Sequence, residues 1–280
     1  MNCAWDALIS VLPLNLRREA ADWNRQGLQE VRLRLDKPVE LVFKNGTAWT
    51  AELCRKEDLT FVVNAASRYS PWSAATVSQG YVTAPGGHRI GICGTCSVHD
   101  GVISGIRQVS SLCIRVAKDF HGISNGAPNS GSVLILGPPG SGKTTILRDL
   151  IRSRSNAGPE SVAVVDERGE LFPPDAGFSE GKRTDVITGC TKGQGINAVL
   201  RTMGPGTVAV DEITSAEDCE ALLQAGWCGV TLLATAHAAS VEDLHRRGVY
   251  KPLVEKKLFD TFLILSRDKT WKLERGIRWL

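Results

Sequence analysis

The stretch Gly137-Pro-Pro-Gly-Ser-Gly-Lys-Thr-Thr145 sets three glycines, a lysine and three hydroxyls round the spacing G-x-x-x-x-G-K-[ST]. That spacing suits phosphate. Glycines let backbone N–H groups curl round phosphate oxygens, and a helix starting just beyond them adds positive potential. In this pattern Lys143 reaches the β- and γ-phosphates and the Thr144 hydroxyl ligates Mg²⁺, with Thr145 offering a second hydroxyl. The candidate contacts to ATP are thus Gly137, Pro138, Pro139, Gly140, Ser141, Gly142, Lys143, Thr144 and Thr145. Binding alone does not define a reaction. Hydrolysis also needs a carboxylate that organises Mg²⁺ and a group that positions water.

Two apolar runs end in adjacent carboxylates. Thr207-Val-Ala-Val-Asp211-Glu212 has the Walker B form, with Asp211 suited to the metal, partly through water, and Glu212 to the attacking water. Ser161-Val-Ala-Val-Val-Asp166-Glu167 repeats the form one element earlier, so Glu167 is a second candidate for the base. A third run, Val230 to Ala234, leads into Thr235-Ala236-His237, where Thr235 and His237 could sense the γ-phosphate.

These groups meet only if their elements align the run ends. Strand-like runs at Ser132–Leu136, Val162–Val165, Val208–Val210, Val230–Ala234 and Phe262–Leu265 alternate with helical patterns. Ile146, Leu147, Leu150 and Ile151 share one helical face; Ile196, Val199, Leu200 and Met203 share another. Such alternation predicts an α/β domain: a mainly parallel sheet, helices on both faces, and acids at strand C-termini, where these sheets place their sites.

The first 120 residues predict a smaller α+β N-terminal domain. A helix is expected from Trp5 to about Gln26 and a half-buried strand at Val31–Leu35. A hairpin is expected to join Val39–Phe43 to Thr47–Ala51 through an Asn45-Gly46 turn, with a helix over Lys56–Tyr69. Glycine-punctuated strands follow around residues 80–83, 87–93 and 111–116. Residues 121–131, rich in Gly, Ser, Asn and Pro, read as a linker to a P-loop domain over 132–280.

With 280 residues, 42% hydrophobic and 22% charged, the chain can bury a core of its own, which excludes a disordered tail or a disulfide-stapled miniprotein. A net charge of +3 and the lack of a basic-aromatic groove argue against nucleic acid. Of the 28 glycines only Gly137, Gly140 and Gly142 belong to the phosphate loop; the others suit turns. The eight cysteines are scattered, and the single Cys93-x-x-Cys96 has no second pair to complete a zinc site. No apolar run has the length of a membrane span, and the N-terminal stretch carries its arginines after the apolar residues, the reverse of a signal peptide. The expectation is a cytoplasmic protein without an integral membrane segment.

The order of phosphate loop, acidic strand end, Walker B and Thr-Ala-His resembles the Walker A, Asp box, Walker B and His box of the type II/IV secretion and pilus-motor ATPases. Within that superfamily Val164-Val-Asp-Glu-Arg168, Lys182-Arg-Thr-Asp-Val186 and Gly86-Gly-His-Arg-Ile-Gly resemble the stage III sporulation AA family of endospore-forming bacteria. The resemblance covers roughly residues 28–280. It implies a RecA-like core that hydrolyses ATP with Mg²⁺ in a homo-oligomeric ring, a hexamer. That ring would sit peripherally on the mother-cell side of a membrane and energise membrane-bound channel proteins. A ring site implies an arginine from the neighbouring subunit. Arg89, Arg107, Arg115 and Arg183 are candidates, with Arg89 and Arg115 favoured because the N-terminal domain of the resembling motors packs against the next subunit's nucleotide. Thr214-Ser215 and Ala238 stand where the resembling motors carry glycine. Two other readings are a small-molecule P-loop kinase, for which the Asp175–Lys182 segment makes a short, arginine-poor lid, and a nucleotide-gated binding module.

Overall fold

The computed structural model describes residues 3–68, 80–173 and 176–275. The chain falls into two compact units, Met1–Asp119 with Pro173–Gly177, and Phe120–Phe172 with Phe178–Leu280.

The first unit opens with α1 (Trp5–Val11) and α2 (Leu14–Glu19) rather than one long helix. The break is at Leu12-Pro13, both extended (ψ 145 and 160), because a proline ring disfavours helical backbone in the residue before it. A six-stranded antiparallel sheet follows, built from β1 (Leu28–Arg34), β2 (Pro38–Phe43), β3 (Gly46–Leu53), β4 (Tyr81–Thr83), β5 (Arg89–His99) and β6 (Val102–Arg115). Its order is β3-β2-β1-β6-β5-β4. Period-two alternation decides which face is buried. Val31 and Leu33 pair with Ile114 and Leu112, and they pack with Ile90, with Leu8 of α1, and with Leu59 and Val62 of α3 (Lys56–Ala66). The opposite face carries Arg32 and Arg34, ion-paired to Glu30 (2.6 Å) and Glu40 (2.7 Å).

Two expectations shift here. Phe43 pairs with Gly46, so the β2–β3 turn is Lys44-Asn45 rather than Asn45-Gly46. Gly46 instead begins β3 at φ 145, the left-handed range that glycine supplies most easily. The helix α3 stops at Ala66, and Tyr69 lies outside the described residues, as does the tail beyond Arg275.

The second unit holds a seven-stranded sheet in the order β13-β12-β7-β11-β10-β8-β9. Its strands are β7 (Val133–Leu136), β8 (Val162–Asp166), β9 (Thr184–Thr188), β10 (Thr207–Glu212), β11 (Thr231–Ala236), β12 (Thr261–Leu265) and β13 (Trp271–Arg275). From β12 to β9 every pairing is parallel, and β13 closes the other edge antiparallel to β12. Because strand side chains alternate, the sheet has two cores. Val133, Ile135, Val164 and Leu233 face Ile146, Leu147 and Leu150 of α4 (Lys143–Ala157). Leu134, Val165, Val210 and Ala234 face α5 (Lys192–Thr202), α6 (Ala216–Trp227), α7 (Val241–Arg246) and α8 (Lys251–Glu255). The α/β domain with helices on both faces is thus as the sequence predicts. β9 escapes the sequence reading because, as the edge strand, it buries too little to show an apolar run.

Residues 121–131 are no free tether. The Asp149 carboxylate on α4 accepts hydrogen bonds from Gly122 N (3.0 Å), Ser124 N (2.8 Å) and Ser124 Oγ (2.8 Å). Arg154, one turn on, donates to Gly131 O (2.7 Å). Among the described residues no helix is long and apolar enough to cross a membrane.

Candidate nucleotide site

The phosphate loop runs from the end of β7 into α4. Gly140 and Gly142 take φ 75 and 98, the left-handed range that winds the backbone round its own amides. Gly142 is the N-cap of α4 and brings no capping side chain, so the first-turn N–H groups face the loop with the helix dipole behind them. The Ser141 hydroxyl is buried without a hydrogen-bond partner among the described residues. A buried polar orphan inside a nest of amides fits an anionic ligand.

The Lys143 ammonium donates to Gly137 O (3.0 Å) and Pro138 O (3.2 Å), and its third proton faces His237 Nδ1 (3.0 Å). An ammonium has no lone pair to offer, so Nδ1 is the acceptor and the neutral ring carries its proton on Nε2. Nε2 lies 2.9 Å from Glu212 Oε1. Lys143, His237 and Glu212, from a loop–helix junction and two strand ends, therefore form one hydrogen-bonded chain. Burial pulls the Lys143 pKa down, while Glu212 and Asp211 pull it back up.

Thr144 Oγ1 donates to the Asp211 carboxylate at 3.2 and 3.3 Å, and Thr235 Oγ1 donates to it at 3.3 Å. Burial pushes the Asp211 pKa up to about 6, helped by the charges of Glu170 and Asp166 and opposed by the two hydroxyls. A hydroxyl and a hard carboxylate sharing one point suit Mg²⁺, which prefers oxygen ligands and keeps most of its waters. The residues present fit that ion.

The second acidic strand end is put to a different use. Asp166 accepts from Glu170 N (2.8 Å), Leu171 N (2.9 Å) and Phe172 N (2.9 Å). It folds the loop after β8. Glu167 is held by Lys192 at 2.7 Å, and Lys192 also lies 3.3 Å from Asp218. Asp218 accepts from Thr214 N (2.9 Å), Thr214 Oγ1 (3.1 Å) and Ser215 N (3.3 Å). Ser215 is the N-cap of α6, its hydroxyl accepting from Asp218 N (3.2 Å), and Thr214 precedes it. Thr144, Glu167, Glu170, Lys192, Asp211 and Glu212 line a common cleft.

The structure thus brings together Lys143, Thr144, Asp211, Glu212, Glu167 and His237 at the C-terminal ends of parallel strands. Arg89 and Arg115 lie in the first unit, as register partners on β5 and β6. The Arg89 guanidinium sits 4.6 Å from the Tyr81 ring centroid, and Arg115, largely exposed, lies 3.7 Å from Glu30. Arg107 donates to Ser97 Oγ (2.6 Å) and Arg183 to Ser155 O (3.4 Å). Cys93 and Cys96 are exposed free thiols on β5, and no group of metal-ligating side chains gathers among the described residues. Lys192 and Asp218 escape the sequence reading. One signal was available: Thr191-x-x-Gln194 is a capping box, which puts Lys192 at the first helical position, where the dipole disfavours a cation without an acidic partner.

Comparison with known proteins bears on the fold and the family. The chain is similar to stage III sporulation protein AA of Bacillus subtilis (strain 168), 35% identical over 279 residues, covering 94% of this chain and 91% of the relative. In fold it is similar to the pilus retraction motor PilT with bound ADP (TM-score 0.64, 15% identity, 94% of this chain and 82% of that one). It is likewise similar to the Legionella pneumophila ATPase DotB (TM-score 0.61, 17% identity, 94% and 80%). The sporulation stage III, protein AA family model matches residues 6–278. That near-complete match, with the extensive identity to a Bacillus relative, shows that the chain belongs to the sporulation stage III, protein AA family.

Proposed function

We propose that this chain is an Mg²⁺-dependent ATPase with a RecA-like P-loop core that works as a ring motor, a homo-hexamer, energising membrane-bound channel proteins during sporulation. The observation that carries the reading is the Lys143–His237–Glu212 chain, whose Glu212 end lines one cleft with the Thr144–Asp211 pair. Family membership adds sporulation, and the PilT and DotB likeness shows the shared fold.

On this reading the loop amides and Lys143 bind the phosphates, with the ammonium exchanging the Gly137 and Pro138 carbonyls for phosphate oxygens. Thr144 and, through water, Asp211 would hold Mg²⁺, which when bound would supply positive charge to offset that of the phosphates. Glu212 orients the attacking water and accepts its proton as the water oxygen bonds to the γ-phosphorus and the bond to the ADP oxygen breaks. His237 positions Glu212 through Nε2–H. Arg89 or Arg115 of a neighbouring subunit stabilises the developing charge, with residues 1–120 forming the domain that presents them. The ring lies peripherally at the cytoplasmic, mother-cell face of its membrane.

Phosphate release measured with Mg²⁺ and with EDTA, over a wide range of protein concentration, tests the proposal. Metal-dependent specific activity that rises as light scattering reports assembly is expected. Flat activity over that range without any oligomer overturns the ring, and no Mg²⁺-dependent release overturns the ATPase.

A further inference from the structure

Two strand ends offer a glutamate to the same cleft, and their environments differ in one respect. Glu212 on β10 meets a neutral imidazole, whereas Glu167 beyond β8 meets an ammonium at 2.7 Å. That ammonium is unusual in its own right. The Lys192 side chain is 7% exposed, it occupies the first position of α5 where the helix dipole repels it, and it is shared with Asp218 at 3.3 Å. A buried lysine at a helix start persists only where acids compensate it, and removing one partner of such a cluster leaves the others uncompensated. Both acids connect to the reacting region. Glu167 lines the cleft with Thr144 and Asp211, and Asp218 binds the Thr214-Ser215 turn directly after β10.

We propose that Lys192 is a positioning residue for hydrolysis. It clamps Glu167 as an ion-paired carboxylate at the cleft wall, which withholds it from the attacking water and leaves that water to Glu212. Through Asp218 the same ammonium holds the turn after Glu212, so the two acidic strand ends keep a fixed spacing. A carboxylate engaged by an ammonium on one oxygen is a poorer proton acceptor than one facing an imidazole N–H, and a freed Glu167 competes with Glu212 for the water. The inference rests on the proposed ATPase reading and assigns a role within that site.

The test is steady-state ATP hydrolysis by the full-length chain with saturating Mg²⁺, comparing wild type, Lys192→Met, Glu167→Gln and the double variant, each checked for folding by thermal melting. Lys192→Met is expected to lower kcat by about 10–100-fold, as loss of a supporting partner does, with KM changed far less. Adding Glu167→Gln to Lys192→Met is expected to restore part of that kcat, because the released carboxylate no longer competes for the water; a lysine that only balances charge in the fold is expected to give recovery of Tm in the double variant without recovery of kcat. Should Lys192→Met melt too low to assay, Lys192→Arg keeps the charge and is expected to retain turnover that Lys192→Gln lacks. Wild-type kcat in Lys192→Met, or additive losses in the double variant, overturns the positioning role alone. A wild-type chain that turns over no ATP overturns the ATPase reading first.

Discussion

Asp211 is ionised at neutral pH at the expense of the fold, and replacing it tests whether the site trades stability for metal binding. Burial and the charges of Glu170 and Asp166 raise its pKa from 3.8 to about 6. A shift of about two units corresponds to about 3 kcal/mol between protonation states. The direction follows from proton binding. Between pH 4 and 6 the folded chain holds a proton that the unfolded chain has already released, so this group's contribution to stability falls as pH rises through that window and stays lost above it. Asp211→Asn keeps an oxygen for the Thr144 and Thr235 hydroxyls and removes the charge. In EDTA at pH 7.5 the variant is therefore expected to be more stable than wild type by up to about 3 kcal/mol, or about 6–12 °C in Tm for a unit of this size. The advantage is expected to shrink as pH falls from about 6 towards 4, where wild-type Asp211 is neutral too. Mg²⁺ narrows the gap from the other side, because it stabilises wild type and finds no carboxylate in the variant. Thermal melts of both chains over pH 4–8, with EDTA and with Mg²⁺, supply the comparison. Equal Tm values at pH 7.5 in EDTA, or an advantage independent of pH, would refute the reasoning.

Three further outcomes are expected. Lys143→Ala removes the ammonium that reaches the phosphates and strands His237, so fluorescent-nucleotide titration is expected to show an affinity loss of about 10–100-fold. Glu212→Gln keeps a hydrogen bond to His237 but cannot take a proton; nucleotide still binds while turnover falls by about 10²–10⁴-fold, and a larger loss in Glu167→Gln would reverse the assignment of the base. Gly195→Ala drives a methyl group against Val165 beneath the cleft, and a urea melt is expected to show a loss of about 1–3 kcal/mol from overpacking.

What the sequence made legible was what is local. The G-x-x-x-x-G-K-T spacing, the apolar runs and the helical faces each depend on residues close in the chain, and the loop, the five apolar strands and the helices over 143–157 and 192–202 are found where they were expected. What it concealed depends on partners far along the chain. The helical stretch expected from Trp5 to about Gln26 is broken locally, at Leu12-Pro13, by a proline that the sequence already shows. Lys192 could not be placed from neighbours alone, since its partners are Glu167, 25 residues back, and Asp218 in the next helix. The composition of residues 121–131 reads as a linker, and what that composition does not show is that Asp149 and Arg154 on α4 hydrogen-bond the segment.

The two acidic strand ends make the same point more sharply. Val-Ala-Val-Val-Asp166-Glu167 and Val-Ala-Val-Asp211-Glu212 are nearly the same peptide, on neighbouring parallel strands that pair Val165 with Val210. Their aspartates nevertheless differ in what they can bind. The amides of residues 170–172 turn back onto Asp166 and occupy its carboxylate with three hydrogen bonds. Among the described residues Asp211 meets the hydroxyls of Thr144 and Thr235. An aspartate saturated by fixed amides holds a loop in shape; one met by two rotatable hydroxyls has lone pairs to give to a cation. The glutamates divide in the same way, one engaged by an ammonium and the other by a neutral ring. Asymmetry between two equivalent strand ends thus comes from the returning loop and from one buried lysine. On the proposed reading, the metal and the water belong to β10 and the supporting structure to β8.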